Sequence, residues 1–385
     1  MTLDRRRALS CGAALASLSS PRVLSAAALE DYGFLDRLLR SASVYTVNVD
    51  STRRAAPAAA PSSAQRLLRT LASQRAVFFG EHHPELRDHL LQAAVLRRLC
   101  ATGKPLAVGL EAVQRKFQPA LDDYLDRRIG EEELFVATDW ARRWYWSFDA
   151  YAPIFRICRE CGVKLLALDV DSEDKAKVEL GGLAALDPAK RRAYIPDQRG
   201  FEAFGSTRAF DQYVAYTLRP PYTLMSRVGA KMTMSTDAQR DMSFENFVAR
   251  QSLRDEAMAS ASAAWLEDHP DGLLLGFVGT NHVKFARGVP GRLARMLPGG
   301  PAVVTSVLLN PTPANTFVDP SNLRLCDRTA VANEACVRND LEVQNYVLQV
   351  PYAADDQRGV PGRSDGRVSV LALSDFMIFS PAPVA

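Results

Sequence analysis

The chain has 385 residues, of which 47% are hydrophobic and 24% are charged, and its formal net charge is +3. This composition is typical of a globular protein with a sizeable core, and it favours one main α/β domain with an insertion over two equal domains. The low net charge, with no dense Lys/Arg patch among aromatic residues, argues against nucleic acid as the main partner. No apolar run approaches the ~20 residues that a transmembrane helix needs, so no transmembrane span is predicted.

The first 28 residues have the features of a targeting peptide. Three arginines at positions 5–7 precede an apolar stretch from Ala8 to Leu18, and the alanines at 26–28 offer a cleavage site before Leu29. The arginine spacing fits a twin-arginine signal, which predicts export to a bacterial periplasm or a plastid thylakoid lumen. The alternative is a basic, Ala/Ser-rich leader that carries no address.

Composition divides the rest of the chain into three parts. A Pro/Ala/Ser-rich stretch from Thr52 to Ser63 predicts a linker, which leaves residues 29–63 as an N-terminal segment. The main α/β domain is predicted over residues 64–309, followed by a C-terminal extension over 310–385. Within the domain, residues 171–243 have weak periodicity and are predicted to be an α-rich insertion over the carboxyl edge of the sheet.

Short apolar runs bounded by glycine or polar residues predict the strands of the main domain. Such runs are typical of buried strands in a mainly parallel sheet that is flanked by helices. The predicted strands are Ala76–Phe79, Leu106–Leu110, Val163–Leu168, Leu273–Val278 and Ala302–Leu309.

Acidic and histidine residues follow three of these strands. Glu81 and His83 come after the first, Glu111 after the second, and His282 after the fourth. Because ligands sit beyond the carboxyl ends of the strands in an open α/β sheet, these side chains are expected to converge. Together they could bind a divalent metal such as Zn, Mn, Co or Fe, move protons, or do both. The structural alternative is a Glu–His network that only closes the strand ends.

Four other residues are candidates to orient the residues of this cluster without contacting the ligand themselves. His89 and Gln92 lie on the helix after Glu81, Asp169 ends a third strand, and Asn281 precedes the last histidine. Such residues can orient the groups that contact a ligand. His89 could equally be a half-buried structural histidine, and Asp169 could be a helix cap.

Two conspicuous groups are more typical of structure than of a site. Cys158 and Cys161 form a C-x-x-C late in a predicted helix, which favours buried helix cysteines over a thioredoxin-like pair. The aromatic residues between Trp140 and Tyr151 are predicted to be core.

Five motifs occur in the order and with the gaps of a known family. They are G-E-x-H at 80–83 with H-x-x-Q at 89–92, G-x-E at 109–111 with Q-x-x-L-D at 118–122, the aromatic block at 140–153, Q-x-x-x-D-x-x-M at 251–258, and G-x-x-H at 279–282 with G-V-P at 288–290. On these motifs, the stretch from Ala64 to Leu297 resembles the ChaN-like haem-binding uptake proteins of the TIKI superfamily.

The resemblance to ChaN-like members implies a protein that binds haem or another tetrapyrrole. In that group, haems pair across a homodimer and tyrosine serves as the axial ligand. Family members commonly carry histidine before the long helix, whereas this chain has none between His89 and His269. The haem-ligand candidates implied for this chain are therefore Tyr213, Tyr216 and Tyr222.

The resemblance to TIKI relatives implies an alternative. Those relatives are similar to metal-dependent proteases that use G-x-x-H and glutamate motifs, and both G-x-x-H copies are present here. The alternative is thus a metal-dependent hydrolase in which a carboxylate acts as general base on a metal-bound water.

Overall fold

The computed structural model describes residues 32–48, 58–228, 242–311, 347–351 and 368–381. It confirms the predicted α/β fold, with a mainly parallel sheet flanked by helices. None of the helices in these ranges combines the length and the apolar character needed to cross a membrane. The predicted targeting peptide lies outside the described residues.

Ten strands are present in the described ranges. In chain order they are β1 (Ser43–Asn48), β2 (Ala58–Ser62), β3 (Ala76–Glu81), β4 (Leu106–Gln114), β5 (Lys164–Asp169), β6 (Leu273–Gly279), β7 (Val304–Leu309), β8 (Val347–Pro351), β9 (Val368–Ala372) and β10 (Phe376–Phe379). Eight of them form the main sheet in the order β2-β1-β10-β7-β3-β6-β4-β5, and β8 pairs with β9 separately.

The helices flank the sheet and fill the insertion. They are α1 (Tyr32–Ser41), α2 (Ala64–Ser73), α3 (Leu86–Cys100), α4 (Gln118–Leu125), α5 (Glu131–Ala137), α6 (Trp140–Arg143), α7 (Phe148–Cys161), α8 (Ser172–Gly181), α9 (Pro188–Tyr194), α10 (Gln198–Gly205), α11 (Arg208–Tyr213), α12 (Arg219–Val228), α13 (Phe244–Asp268) and α14 (Val289–Met296). A π-helical segment, Val214–Leu218, joins α11 to α12.

All five predicted strands are confirmed, as β3 to β7, and together with β10 they form the parallel part of the sheet. The sheet also extends beyond the predicted limits of 64–309, because β1, β2 and β10 join it. β2 lies within the stretch that was predicted to be a linker. Its Pro61 is tolerated there because β2 is an edge strand and pairs only with β1.

The central strands are mostly apolar because both faces of the sheet are covered. In β3, Val77 and Phe79 face a core formed with α3 and α7, whereas Ala76 and Phe78 face a second core formed with α13 and α14. Glycine in the neighbouring strand makes room for one of these rings, since a Cβ on Gly276 would lie 2.3 Å from Phe78.

The sheet has a topological switch point between β3 and β6. The chain leaving β3 enters α3 on one face and returns as β4, and the chain leaving β6 enters α14 on the other face and returns as β7. Connections that leave two adjacent parallel strands in opposite directions open a crevice at their carboxyl ends. The topology therefore puts the candidate cluster at the position where α/β folds bind ligands.

The insertion is helical where it is described and covers this edge, as predicted. Its α8 sends Lys175 to the end of β5, where Nζ lies 2.6 Å from an Asp169 carboxylate oxygen. Its α11 ends at Tyr213, whose hydroxyl donates to the carbonyl of Asn281 after β6 at 2.7 Å. These contacts close the crevice from the side of the insertion.

Candidate functional site

The structure brings the four predicted residues together. The His83 Nδ1 lies 3.0 Å from Glu81 Oε1, and its Nε2 lies 3.9 Å from Glu111 Oε1. The Nε2 of His282 lies 3.2 Å from the same Glu111 oxygen. Three of the four side chains are almost completely buried, while the His83 side chain is 22% exposed.

Hydrogen bonds from α3 and α7 hold the Glu81 carboxylate. The Tyr151 hydroxyl donates to Oε1 and the Gln92 amide donates to Oε2, both at 2.6 Å. Burial by itself raises the pKa of Glu81, but the His89 and His83 imidazoles bring it below its usual value. Burial and the charge of Glu81 raise the pKa of Tyr151 far above its usual range, so the phenol stays protonated as a donor.

Glu111 is held from the other side of the crevice. Its Oε1 accepts from Arg254 Nη2 and its Oε2 accepts from the Gly279 amide, both at 2.6 Å. Burial raises the pKa of Glu111, but the charges of His282 and Arg254 outweigh burial and keep it well below its usual value. Glycine is needed at 279 because a Cβ there would lie 2.8 Å from His83 Nε2.

Arg254, on α13, links the ends of two strands. Its Nε donates to Asp169 Oδ1 at 2.8 Å and its Nη2 donates to Oδ2 at 3.0 Å, in addition to its bond with Glu111. Burial lowers the pKa of Arg254, but the Asp169 and Glu111 carboxylates raise it well above its usual value. Asp169 therefore belongs to the cluster through the guanidinium rather than through direct contact with a histidine.

His282 is a charged residue between two carboxylates. Its Nδ1 is hydrogen-bonded to Asp255 Oδ1, and the Gln251 side-chain amide lies 2.9 Å from the same nitrogen. Burial lowers the pKa of His282, but the charges of Glu111 and Asp255 raise it to about 9. The raised pKa favours a positively charged ring at neutral pH.

The donor set does not fit a bound metal ion. In the described ranges, no group of three or more His, Cys, Asp or Glu side chains is arranged to hold one. The geometry explains this, because the Arg254 guanidinium lies between the Glu111 and Asp169 carboxylates that would be the strongest ligands. The positive charge that the carboxylates require thus comes from the chain itself.

His83 is the member of the cluster that a ligand can reach. Its ring meets Trp144 edge-on at 4.8 Å between centroids and stacks on Trp146 at 5.9 Å. Its Nε2 lies beside Gly279 and 3.9 Å from Glu111 Oε1, at the carboxyl edge of the sheet. A carboxylate on one imidazole nitrogen and a crevice at the other is an arrangement suited to proton transfer.

The supporting residues divide into those that touch the cluster and one that does not. His89 is fully buried, lies 3.6 Å from Glu81 Oε2, and holds the His83 carbonyl with Nε2 at 3.0 Å. Gln92 bonds Glu81 directly, as described above. The Asn281 side chain instead accepts from Lys284 Nζ at 3.1 Å.

The three tyrosines proposed as haem ligands lie within the insertion. The Tyr213 hydroxyl is bonded to the Asn281 carbonyl, as described above, and the Tyr222 hydroxyl donates to the Met242 carbonyl at 2.9 Å. Tyr216 is half-buried and packs against the core formed with α13 and α14, to which Tyr213 also belongs. None of these contacts involves the Glu/His cluster itself, so a haem held by these tyrosines would lie on the insertion.

Sequence reasoning missed Tyr151 and Arg254 as parts of the site. Tyr151 was predicted to be core, and its ring is buried there, but its hydroxyl points at Glu81. Arg254 lies between Gln251 and Asp255 of the fourth motif, and both of these contact His282. The position of this arginine within the fourth motif was the available signal.

A family model described as haem-binding uptake, Tiki superfamily, ChaN, matches residues 67–293. The chain belongs to this family. ChaN of Campylobacter jejuni, solved with cofacial haem, aligns with a TM-score of 0.51 at 14% identity, over 88% of this chain and 98% of that one. That likeness shows the shared fold.

Protein RETICULATA-RELATED 5, chloroplastic, of Arabidopsis thaliana is 25% identical over 298 residues. The match covers 71% of this ChaN-family chain and 37% of that relative, so the chain corresponds to little more than a third of it. The erythromycin esterase EreC aligns at 14% identity over 88% of this chain and 97% of that one, and its TM-score of 0.40 is too low to carry an inference.

The charge of His282 predicts a pH-dependent stability difference. Its pKa rises from 6.5 to about 9 on folding, so its contribution is fully present below about pH 6.5 and is lost as the pH rises through about 9. Urea unfolding should show His282→Gln destabilised by roughly 3 kcal/mol near pH 6.5, with the gap shrinking between pH 6.5 and 9 and nearly closed above pH 9. His269→Gln, outside the cluster at the end of α13, is the control. A gap that is constant across this range would contradict the charged state.

Proposed function

We propose that this protein binds haem or a related tetrapyrrole in an exported compartment. The observation that carries the proposal is membership of the haem-binding uptake family over residues 67–293. Haem supplies an iron centre and a flat, largely apolar macrocycle, and the chain has to supply a matching surface and an axial group.

An aromatic rim at the mouth of the crevice supports this proposal. The rim is formed by Trp144, Tyr145 and Trp146, between α6 and α7. The two indoles are half-buried against His83, and Tyr145 is 64% exposed. Exposed planar side chains provide apolar area for a macrocycle and a polar group at its edge. Tyr145 therefore joins the candidates for the axial ligand, although it is absent from the family-based set.

Ligation by two of the candidates in the insertion would break hydrogen bonds that hold the insertion in place. Ligation by Tyr213 would break its bond to the Asn281 carbonyl inside a fully buried environment, and Tyr222 would lose its bond to Met242. Tyr216 remains a candidate, as expected from the family. A homodimer that pairs two haems, as the family implies, would place the two rims or the two insertions face to face.

A hemin titration tests this proposal. Full-length protein should shift and sharpen the Soret band of hemin, and size-exclusion chromatography should show a hemin-dependent dimer. Tyr145→Phe is expected to weaken binding at least about tenfold, because a lost axial bond costs more than about 1.4 kcal/mol. Tyr213→Phe, Tyr216→Phe and Tyr222→Phe test the insertion, and Tyr45→Phe, on β1, is the matched control.

Two outcomes of this titration are decisive. An unchanged hemin spectrum with wild-type protein rejects haem binding. A spectrum that is lost only in an insertion variant keeps haem binding but moves the ligand away from the rim.

Export by a twin-arginine-type signal is the proposed route to the compartment. The arginines at 5–7 and the alanines at 26–28 support it, and the Arabidopsis relative is described as chloroplastic, which favours a plastid thylakoid lumen over a periplasm. N-terminal sequencing of protein from its native source should find a mature chain that begins near Leu29. Recovery of the intact Met1 would contradict export.

A second candidate function is hydrolysis without a metal ion. The observation that favours it is the pairing of His83 with Glu81, which leaves Nε2 facing the crevice. The Glu81 carboxylate, ionised at neutral pH, orients the ring and favours proton uptake at Nε2 from a water molecule. The metal-dependent form of this hypothesis would require Glu111 and Asp169 to be released from Arg254, so the metal-free form fits the geometry better.

Substitutions of the two adjacent histidines distinguish this function. Against a panel of ester substrates with EDTA present, His83→Asn should lower kcat by roughly 10²-fold or more, as expected for loss of a general base. His82→Asn is the matched control, because His82 Nδ1 pairs with Asp88 at 2.9 Å, away from the crevice. Activity that EDTA abolishes and Zn²⁺ restores would overturn the metal-free mechanism. No turnover across the panel would reject this function.

A further inference from the structure

A pair of thiols lies where two neighbouring helices end. Cys100 is the last residue of α3, Cys161 is the last residue of α7, and the two helices pack against each other. Both cysteines line the same surface depression. The guanidinium of Arg97, one turn earlier on α3, lies 3.5 Å from the Cys161 sulfur.

The pair is open to small molecules from solvent. Both residues line an open surface depression of about 460 Å³, which Arg97, Arg98 and Asp36 also line. Cys158, one turn before Cys161, is completely buried. The expectation of two buried helix cysteines therefore holds for Cys158 alone, and the partner of Cys161 comes from a different helix.

We propose that Cys100 and Cys161 are a redox-active pair that forms an intramolecular disulfide by exchange with a small-molecule disulfide such as glutathione disulfide. The bond would link the C-terminal ends of α3 and α7. Neither the haem nor the hydrolase proposal assigns a role to this pair.

The exchange proceeds in two steps. The Cys161 thiolate, beside the Arg97 guanidinium, attacks one sulfur of the small disulfide and releases one small thiolate. The Cys100 thiolate then attacks the Cys161 sulfur, the protein disulfide forms, and the second small thiolate leaves. The protein loses two protons and two electrons, and the small disulfide is reduced to two thiols. Burial and the neighbouring thiol raise the pKa of Cys100 to about 12, which fits Cys161 as the first attacker.

The position of the bond connects it to the candidate site. The same two helices hold Glu81, through His89 and Gln92 on α3 and through Tyr151 on α7. His89 lies 11 residues before Cys100 on α3, which is roughly 16 Å at the helical rise of 1.5 Å per residue. A disulfide at the far end would restrict relative movement of the helices that position the Glu81 carboxylate.

Peptide mapping of the full-length protein tests the proposal. The protein is equilibrated in glutathione buffers of increasing oxidation, alkylated, digested without reduction, and analysed by mass spectrometry. A peptide that links Cys100 to Cys161 should appear as alkylation of both residues is lost, and dithiothreitol should reverse both changes. Oxidation should also raise the Tm and slow deuterium exchange along α3 and α7.

Three variants complete the test. Cys100→Ser and Cys161→Ser should lose the linked peptide and the oxidation-dependent rise in Tm, while Cys158→Ala, at the buried cysteine one turn away, should keep both. Full alkylation of Cys100 in excess glutathione disulfide would overturn the proposal. A peptide linking Cys158 to Cys161 instead would also overturn it. If a serine variant does not fold, the wild-type peptide map decides alone.

Discussion

The guanidinium of Arg254 holds together the carboxyl ends of three neighbouring strands. It binds Glu111 of β4 and Asp169 of β5 directly, and Glu111 in turn meets the charged His282 after β6. Buried carboxylates that lacked these cations would cost several kilocalories per mole or would take up protons. The geometry of the crevice therefore depends on one arginine that a helix on the face of the sheet delivers to its edge.

The cluster has two halves that are built on different principles. Around Glu111, opposite charges neutralise each other inside the protein. Around Glu81, the neutral donors Tyr151 and Gln92 satisfy the carboxylate and leave it able to act on His83. The halves meet at His83, which is both the most exposed of the four predicted residues and the one that contacts the aromatic rim. A ligand bound at the aromatic rim and a proton transferred at the crevice would therefore both involve His83.

The central strands could be read from the sequence because burial on both faces makes them continuously apolar. The outer strands could not. The composition of residues 52–63 is that of a linker, and only pairing with β1 makes part of it the edge strand β2. Likewise, β10 joins the sheet beside β7, although nearly 70 residues separate them in the chain. Pairing between strands that are so far apart leaves no local pattern in the sequence. The domain limits of 64–309 were therefore predicted from composition alone, and they left out β1, β2 and β10.

The sequence by itself determined which strands end in Glu81, Glu111 and His282, because a buried apolar run followed by a polar residue is a local signal. The tertiary structure decided what that cluster is. Helical periodicity shows which side of α13 is apolar, but it cannot show that Arg254 reaches two strand ends and neutralises their carboxylates. The same limit applies to Cys161. The cysteine nearest to it in the sequence, Cys158, is buried, whereas packing of α3 on α7 brings Cys100 to the same surface depression as Cys161. Contacts between distant segments are set by packing. In the sequence, each partner in such a contact is only an isolated polar residue, with no local pattern that identifies the other.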